Sequence, residues 1–257
     1  MYYVSFLAFL LLHICSSVQA QTTAQTTDAP TTAPADSYAM PMLSDTLLKP
    51  RGQAFFGIKA GVSQSTLYGE DVSDISNDGL VTPFLGFHAG IHAHSTISDY
   101  LWLKHELFFQ QMGAIITINH KDGAYTSTLR TELLTLFPAS VALHWNGLQL
   151  YGGGYMSMLI NANIRRKDST GAFKDDDSIF GNPTETTEDN KYLQKIDAGI
   201  VVGVEYEFAF GLNIGIRYTQ GFVPVFDNAN VHTFGQDKPV IGIYRSGLHA
   251  TLGWSFR

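Results

Sequence analysis

Ile196-Asp-Ala-Gly-Ile-Val-Val-Gly-Val-Glu-Tyr-Glu-Phe208 sorts into two faces. Ile196, Ala198, Ile200, Val202, Val204, Tyr206 and Phe208 share one parity, and Asp197, Gly199, Val201, Gly203, Glu205 and Glu207 share the other. A period of two is that of an extended strand, whose successive side chains point to opposite sides, not the 3.6 of an amphipathic helix. The stretch reads as a strand with one unbroken apolar face and one face of small and charged residues.

The same division recurs along the chain. Ile58, Ala60 and Val62 oppose Gly57, Lys59, Gly61 and Ser63, while Phe87, Ala89, Ile91 and Ala93 oppose Gly86, His88, Gly90, His92 and His94. In the last segment Tyr244, Leu248, Ala250, Leu252, Trp254 and Phe256 oppose Arg245, Gly247, His249, Thr251, Gly253 and Ser255. Further segments run over 101–118, 128–145, 148–164 and 212–223, so eight strands are expected and the fold class is all-β.

Alternation alone permits a soluble barrel with its apolar face inside. Three features favour the reverse. Several runs are two or three times as long as a globular strand of ~5 to 6 residues, and suit a tilted membrane crossing. Connections alternate between short ones, at Ser98-Asp99, Asn146-Gly147 and 209–211, and long ones over 66–82, 119–127, 165–190 and 224–238. Short periplasmic turns and long extracellular loops are the transmembrane-barrel pattern, and Asn-Gly suits a primed hairpin turn. Third, Tyr100, Trp102, Trp145, Phe208, Phe210, Trp254 and Phe256 lie beside the short turns or the C-terminus, where an interfacial aromatic girdle belongs. The expectation is an eight-stranded antiparallel up-and-down transmembrane β-barrel over 53–257, with both termini periplasmic in a Gram-negative outer membrane.

Backbone amides in a bilayer must all be paired, so the sheet must close. A lumen of eight strands is only wide enough for side chains. Lys59, Lys104, Glu106, Arg130, Glu132, Asp197, Glu205, Glu207, Arg217 and Arg245 are expected to fill it as a paired charge network.

The N-terminal region differs. Phe6-Leu-Ala-Phe-Leu-Leu-Leu12 is an apolar core, followed by Val18-Gln19-Ala20, which predicts an export signal spanning 1–20. Residues 21–52 are rich in Thr, Pro and Ala and read as a flexible linker. The only cysteine, Cys15, falls in that signal, which removes disulfides and thiolate chemistry from the mature chain. A formal net charge of -7 with 16 scattered Lys and Arg gives no footprint for nucleic acid.

Four stretches carry a family resemblance. They are Phe56-Gly-Ile-Lys-Ala-Gly-Val62, Gly86-Phe-His-Ala-Gly90 continuing to Leu107-Phe-Phe-Gln-Gln-Met-Gly113, the Pro138-bearing fourth strand, and Gly199-Ile-Val-Val-Gly-Val-Glu-Tyr206 with Gly215-Ile-Arg-Tyr218. In order and spacing the chain resembles the PorT-like outer-membrane β-barrel family of Gram-negative bacteria. The resemblance implies an eight-stranded outer-membrane barrel, and a terminal aromatic as the signal to the outer-membrane assembly machinery, although here Arg257 follows Phe256.

Candidate chemistry is sparse. His92 and His94 share a face at a spacing that serves zinc, with His249, His144 or Glu106 as third ligand, but packed lumenal histidines are the better account. His94 with Ser95, or Ser246 with His249, would be the pairs for a lipid-modifying hydrolase; strand neighbours face opposite ways, which counts against the first. The acidic stretch Asp175-Asp-Asp177 lacks calcium-loop spacing. Arg165-Arg166-Lys167 suits anionic lipopolysaccharide at the outer rim. No enzyme activity, cofactor or metal is expected. The expected role is structural or interactive, by a monomer whose loops meet envelope lipids, a protein or a host surface. A narrow-pore or secretion-associated transport component and a lipid-modifying enzyme are the alternatives.

Overall fold

The computed structural model describes residues 54–76, 80–120, 123–167, 171–176, 193–226 and 242–256. The expected export signal, linker and stretch 177–192 lie outside them. The strands are β1 (Ala54–Tyr68), β2 (Leu80–Thr96), β3 (Leu101–His120), β4 (Gly123–Trp145), β5 (Leu148–Lys167), β6 (Phe173–Asp176), β7 (Ile196–Glu207), β8 (Leu212–Gly221) and β9 (Tyr244–Phe256), with a one-turn helix α1 (Val72–Ser76) after β1. All but β6 form an eight-stranded antiparallel ring in which each strand pairs with its neighbours in sequence, and β1 pairs with β9 to close it. Closure leaves the ring no unpaired edge, as a sheet in hydrocarbon requires. The short β6 lies beyond it, beside the far end of β5.

The apolar parity faces outward. Ile58, Val62, Phe87, Ile91, Ile200, Val202, Val204, Ile214, Ile216, Leu248 and Leu252 are exposed, while Lys59, His88, His92, Glu205, Glu207, Arg217 and His249 are buried. An apolar exterior with ionised groups enclosed is the inverse of a water-soluble protein, and it places acyl chains, not water, around the ring. Small inward residues make this arrangement possible: a Cβ on Gly253 would lie 2.6 Å from Lys59 Cγ.

The short turns form as their sequences dictate. Asn146 and Gly147 both have positive φ, at 49° and 87°, the backbone of a type I′ hairpin turn. The Ser98 hydroxyl accepts from the Leu101 amide at 3.1 Å and fixes the turn before β3. At the other rim the strands run further than the alternation indicated. The expected loop over 119–127 is largely strand, because β3 and β4 remain paired as far as His120 and Gly123.

Two bulges reset the alternation in this part of the wall. Ala139 and Pro138 are both exposed, and these two residues of β4, between Phe137 and Ser140, stand opposite the single His105 of β3 between Glu106 and Lys104. Proline donates no ladder hydrogen bond, so a bulge is where a strand accommodates it. In β5 the exposed Ile160 and Asn161 form the second shift, opposite Leu133 and Glu132.

Candidate functional site

The lumen is layered. Nearest the short turns, the rings of His92 and His94 stack at 5.8 Å, His94 and Trp102 at 5.0 Å, and Trp102 and His144 at 4.0 Å. Phe55 lies on the other side of His94 at 5.2 Å. One stack of flat rings thus crosses from β1 to β4.

Above it lies an ionic belt. Lys59 Nζ meets Glu106 Oε1 at 2.7 Å and Glu205 Oε2 at 2.6 Å, and Lys104 Nζ meets Glu205 Oε1 at 3.1 Å. Arg217 Nη1 donates to Glu106 Oε2 at 3.0 Å while its guanidinium lies against the faces of Phe108 and Phe137. Lys104 donates to Gln149, whose amide donates to Glu207, extending the belt towards the short turns. Towards the other end, Arg245 stands 3.6 Å from Asp197, which also accepts from the Tyr155 hydroxyl. Among the described residues these eight are the buried charged ones, four cations and four anions, and their charges cancel. Burial of so many ions is tolerable only with such pairing, because an ion left alone in a low dielectric is strongly destabilising.

The histidines are packed into this polar wall. His88 Nε2 contacts Thr251 at 2.9 Å, His249 Nε2 contacts Thr219 at 3.0 Å, and His92 Nε2 contacts Ser255 at 3.2 Å. Among the described residues no group of three or more His, Cys, Asp or Glu is arranged to hold a metal ion. His94 turns into the lumen and Ser95, its strand neighbour, does not. Ser246 and His249 are both buried, but it is the Thr219 hydroxyl that meets His249 Nε2.

At the long-loop end the lumen is closed by an apolar plug. Leu67, Met112, Ala114, Ile116, Leu129, Leu133, Leu159, Ala162 and Ile164 point inward from the walls, and Ile75 of α1 packs onto them with Leu193, Val225, Phe226 and Ile243 from the connections. Asp71 accepts from the Gly242 amide at 2.8 Å and ties the segment bearing α1 to the approach to β9. The alternation gave no sign of this plug, since its loop members lie outside any strand and its β4 members carry the shifted parity.

Three expected placements need correction. Arg130 and Glu132 are not lumenal: they pair with each other at 2.7 Å on the outer face, because the bulge at Pro138 reverses the parity that holds at Ser140 and Ala142. Leu129, Leu133 and Phe137 take the inward positions instead. Trp102 is not in the girdle but is 2% exposed inside the barrel. Inward Lys104 and Glu106, two and four residues away, impose the same parity on it.

The other aromatics lie outside. Tyr100, Trp145, Phe210, Trp254 and Phe256 are exposed beside the short turns, and Tyr206, Phe208, Phe210 and Trp254 form successive ring contacts between 4.9 and 5.9 Å. On the opposite outer rim, above Leu134 and Ile160, the surface becomes polar. Gln111, its carboxamide turned so that the oxygen faces Arg130, accepts from Nη2 and Nε at 2.7 and 2.8 Å. Arg165, Arg166, Lys167 and Lys195 are exposed nearby, and Lys167 Nζ lies over the exposed Phe173 ring at 5.5 Å.

No curated protein matches the chain in sequence. Among solved structures, it is similar to neisserial surface protein A (NspA), at 14% identity and a TM-score of 0.44, over 79% of this chain and 99% of that one. It is similar to Ail, the attachment invasion locus protein of Yersinia pestis, at 10% identity and 0.39, over 80% and 100%. It is also similar to the outer membrane protein OprG of Pseudomonas aeruginosa, at 9% identity and 0.36, over 82% and 99%. The family profile of the outer membrane protein beta-barrel domain matches residues 24–227. With an outward apolar face, an enclosed ionic lumen and that match over most of its length, the chain belongs to the outer membrane protein beta-barrel domain family, whose place is the outer membrane of Gram-negative bacteria.

Proposed function

We propose that the protein is a non-conducting, non-enzymatic, monomeric outer-membrane barrel of the PorT-like kind, which anchors an interaction surface at its long-loop end. In this reading the short turns and both termini are periplasmic. The observation that carries it is the double closure of the lumen. A belt of ion pairs joins β1, β3, β7 and β8 across the interior, and an apolar plug that includes α1 sits above it. Water-filled porins need 16 or more strands to leave a channel, whereas eight leave room only for side chains. Lipid modification needs catalytic groups that reach a lipid, and the lumenal His and Ser residues are enclosed.

What projects beyond the bilayer is the wall of β3, β4, β5 and β6. β4 has 23 residues, about twice the 9 to 11 of one crossing. That surplus, with the connections beside it, is the surface that meets an envelope molecule, another protein or a host surface.

Planar-bilayer recording on purified, refolded protein tests the reading. A silent membrane is expected, and discrete unitary steps would overturn it in favour of transport, including a secretion-associated pore. Orientation is tested separately with an epitope tag at residues 121–122 and another at Ser98-Asp99. Only the first is expected to be labelled on intact cells.

A further inference from the structure

The exposed basic residues of the described barrel are all on one side. Arg130 of β4, Arg165, Arg166 and Lys167 of β5, and Lys195 just before β7 are exposed, whereas Lys59, Lys104, Arg217 and Arg245 are enclosed. Register brings the exposed ones together. Thr128 of β4 faces Arg165, Thr126 faces Lys167, Arg130 faces Asn163, and the Lys195 carbonyl accepts from the Leu159 amide of β5 at 2.8 Å.

Their height is defined by the apolar band below. On β4 the outward residues from Trp145 to Leu134 are apolar and Glu132 and Arg130 follow; on β5 the outward apolar series ends at Ile160, and Asn161, Arg165 and Lys167 come next. A tilted strand climbs roughly 2 to 3 Å per residue along the bilayer normal. Lys195 and Arg130 therefore stand within about 10 Å of the hydrocarbon edge and Lys167 roughly 16 Å above it. A phospholipid headgroup layer is only about 5 to 7 Å deep. The patch is taller than that layer, and matches a lipid whose phosphates are carried at several heights on a saccharide head. Among the described residues, acidic groups also stand beside it: Glu132 pairs with Arg130, and Asp175 of β6 is opposite Arg165 in register.

Resting on the proposed orientation, in which this rim is the outer one, we infer that the β4–β5 face is a lateral binding site for a phosphorylated glycolipid of the outer leaflet. Arg130 is its fixed element. Gln111 and Glu132 hold the guanidinium against the wall, and its side chain stays half-exposed to the lipid. Arg165 and Lys167 add two exposed cations on the same face of β5, and Phe173 beneath the Lys167 ammonium offers an apolar surface at the same height. The contacts are to phosphate, so charge and not sequence-specific geometry governs them, and salt weakens them.

The test uses the full refolded chain in phosphatidylcholine vesicles carrying, in both leaflets, diphosphoryl lipid A, its dephosphorylated form or phosphatidylglycerol. Lipid present in both leaflets makes the outcome independent of insertion direction, so a wrong orientation and a wrong site give different failures. Retained lipid is measured by native mass spectrometry. Wild type is expected to retain diphosphoryl lipid A over the dephosphorylated form. The triple variant Arg130→Gln, Arg165→Gln, Lys167→Gln is expected to lose about ten- to a hundredfold of that preference, at roughly fivefold per cation. Arg165→Lys is expected to keep it and Glu132→Gln to strengthen it. Unchanged heat-modifiable migration of the triple variant confirms that its barrel is closed. Equal retention of the phosphorylated and dephosphorylated lipids by wild type would overturn the site, as would an undiminished preference in the triple variant. Equal retention of phosphatidylglycerol would overturn its assignment to a saccharide-borne phosphate.

Discussion

Lys59 Nζ lies 2.6 Å from Glu205 Oε2 although 146 residues separate them and their strands, β1 and β7, are not neighbours in the ring. The bond is made through the lumen. Glu106 repeats the relationship, joining Lys59 of β1 and Arg217 of β8 to β3. The backbone ladder holds each strand only to the next, and these side chains cross-brace the ring.

Removal of Glu106 leaves Arg217 without its ion pair inside the lumen and Lys59 with Glu205 only. Glu106→Leu is expected to cost about 3 to 5 kcal/mol of unfolding free energy. Urea titration in vesicles, followed by the shift between heat-modifiable gel bands, measures it. Lys59→Met in the same background is expected to add much less than it costs alone, because both residues belong to one network. A cost for Glu106→Leu below about 1 kcal/mol, the value of an exposed pair, would show that the belt is hydrated in the membrane.

The three tryptophans distinguish inside from outside. Trp145 and Trp254 are exposed on the outer wall, and Trp102 is enclosed. In vesicles of brominated lipid, single-tryptophan variants retaining Trp145 or Trp254 are expected to be strongly quenched, and the one retaining Trp102 to be nearly unaffected. Quenching of Trp102 to the same extent would return it to the girdle.

Gly253 leaves the space that Lys59 occupies. A Cβ there would meet Asn213 Oδ1 and the Ile58 carbonyl as well as the lysine stem. Gly253→Val is expected to destabilise the barrel by about 1 to 3 kcal/mol, as overpacking does. Lys59→Ala in the same chain is expected to relieve part of that loss, as read by the same urea titration.

The turn at Asn146 and Gly147 supplies a local counterpart. Both residues have positive φ, so Gly147→Val is expected to cost about 1 to 2 kcal/mol and Asn146→Gly to be nearly neutral. Refolding into vesicles, followed by the fraction of heat-modifiable protein, checks both.

Strand number and the direction of the apolar face were legible because period two is uninterrupted in β1 and β7, in β2 from Gly86 onward and in β9 from Gly247 onward, where each side-chain type keeps one side. Arg130, Glu132 and Trp102 show where that logic fails. A bulge adds one residue, reverses every side chain beyond it, and leaves composition unchanged, so the only local sign was Pro138 inside an otherwise regular strand. Trp102 was assigned from residue type, although its spacing from Lys104 and Glu106 already placed it inside. The plug was illegible for a different reason. Ile75, Leu193, Phe226 and Ile243 come together only once the ring has set the distances between their connections.

Pairing of β1 with β9 aligns Phe56 with Phe256 and Tyr68 with Tyr244. The N-terminal strand of the ring must therefore wait for the last one to be made and delivered, and a chain stopped before Tyr244 would keep two raw sheet borders, on β1 and on β8. Such borders invite pairing with other chains. Until the seam is sewn, the intermediate depends on a chaperoned route to the membrane, and its quality control is all or nothing: a missing final strand yields a sticky ribbon rather than a weaker barrel.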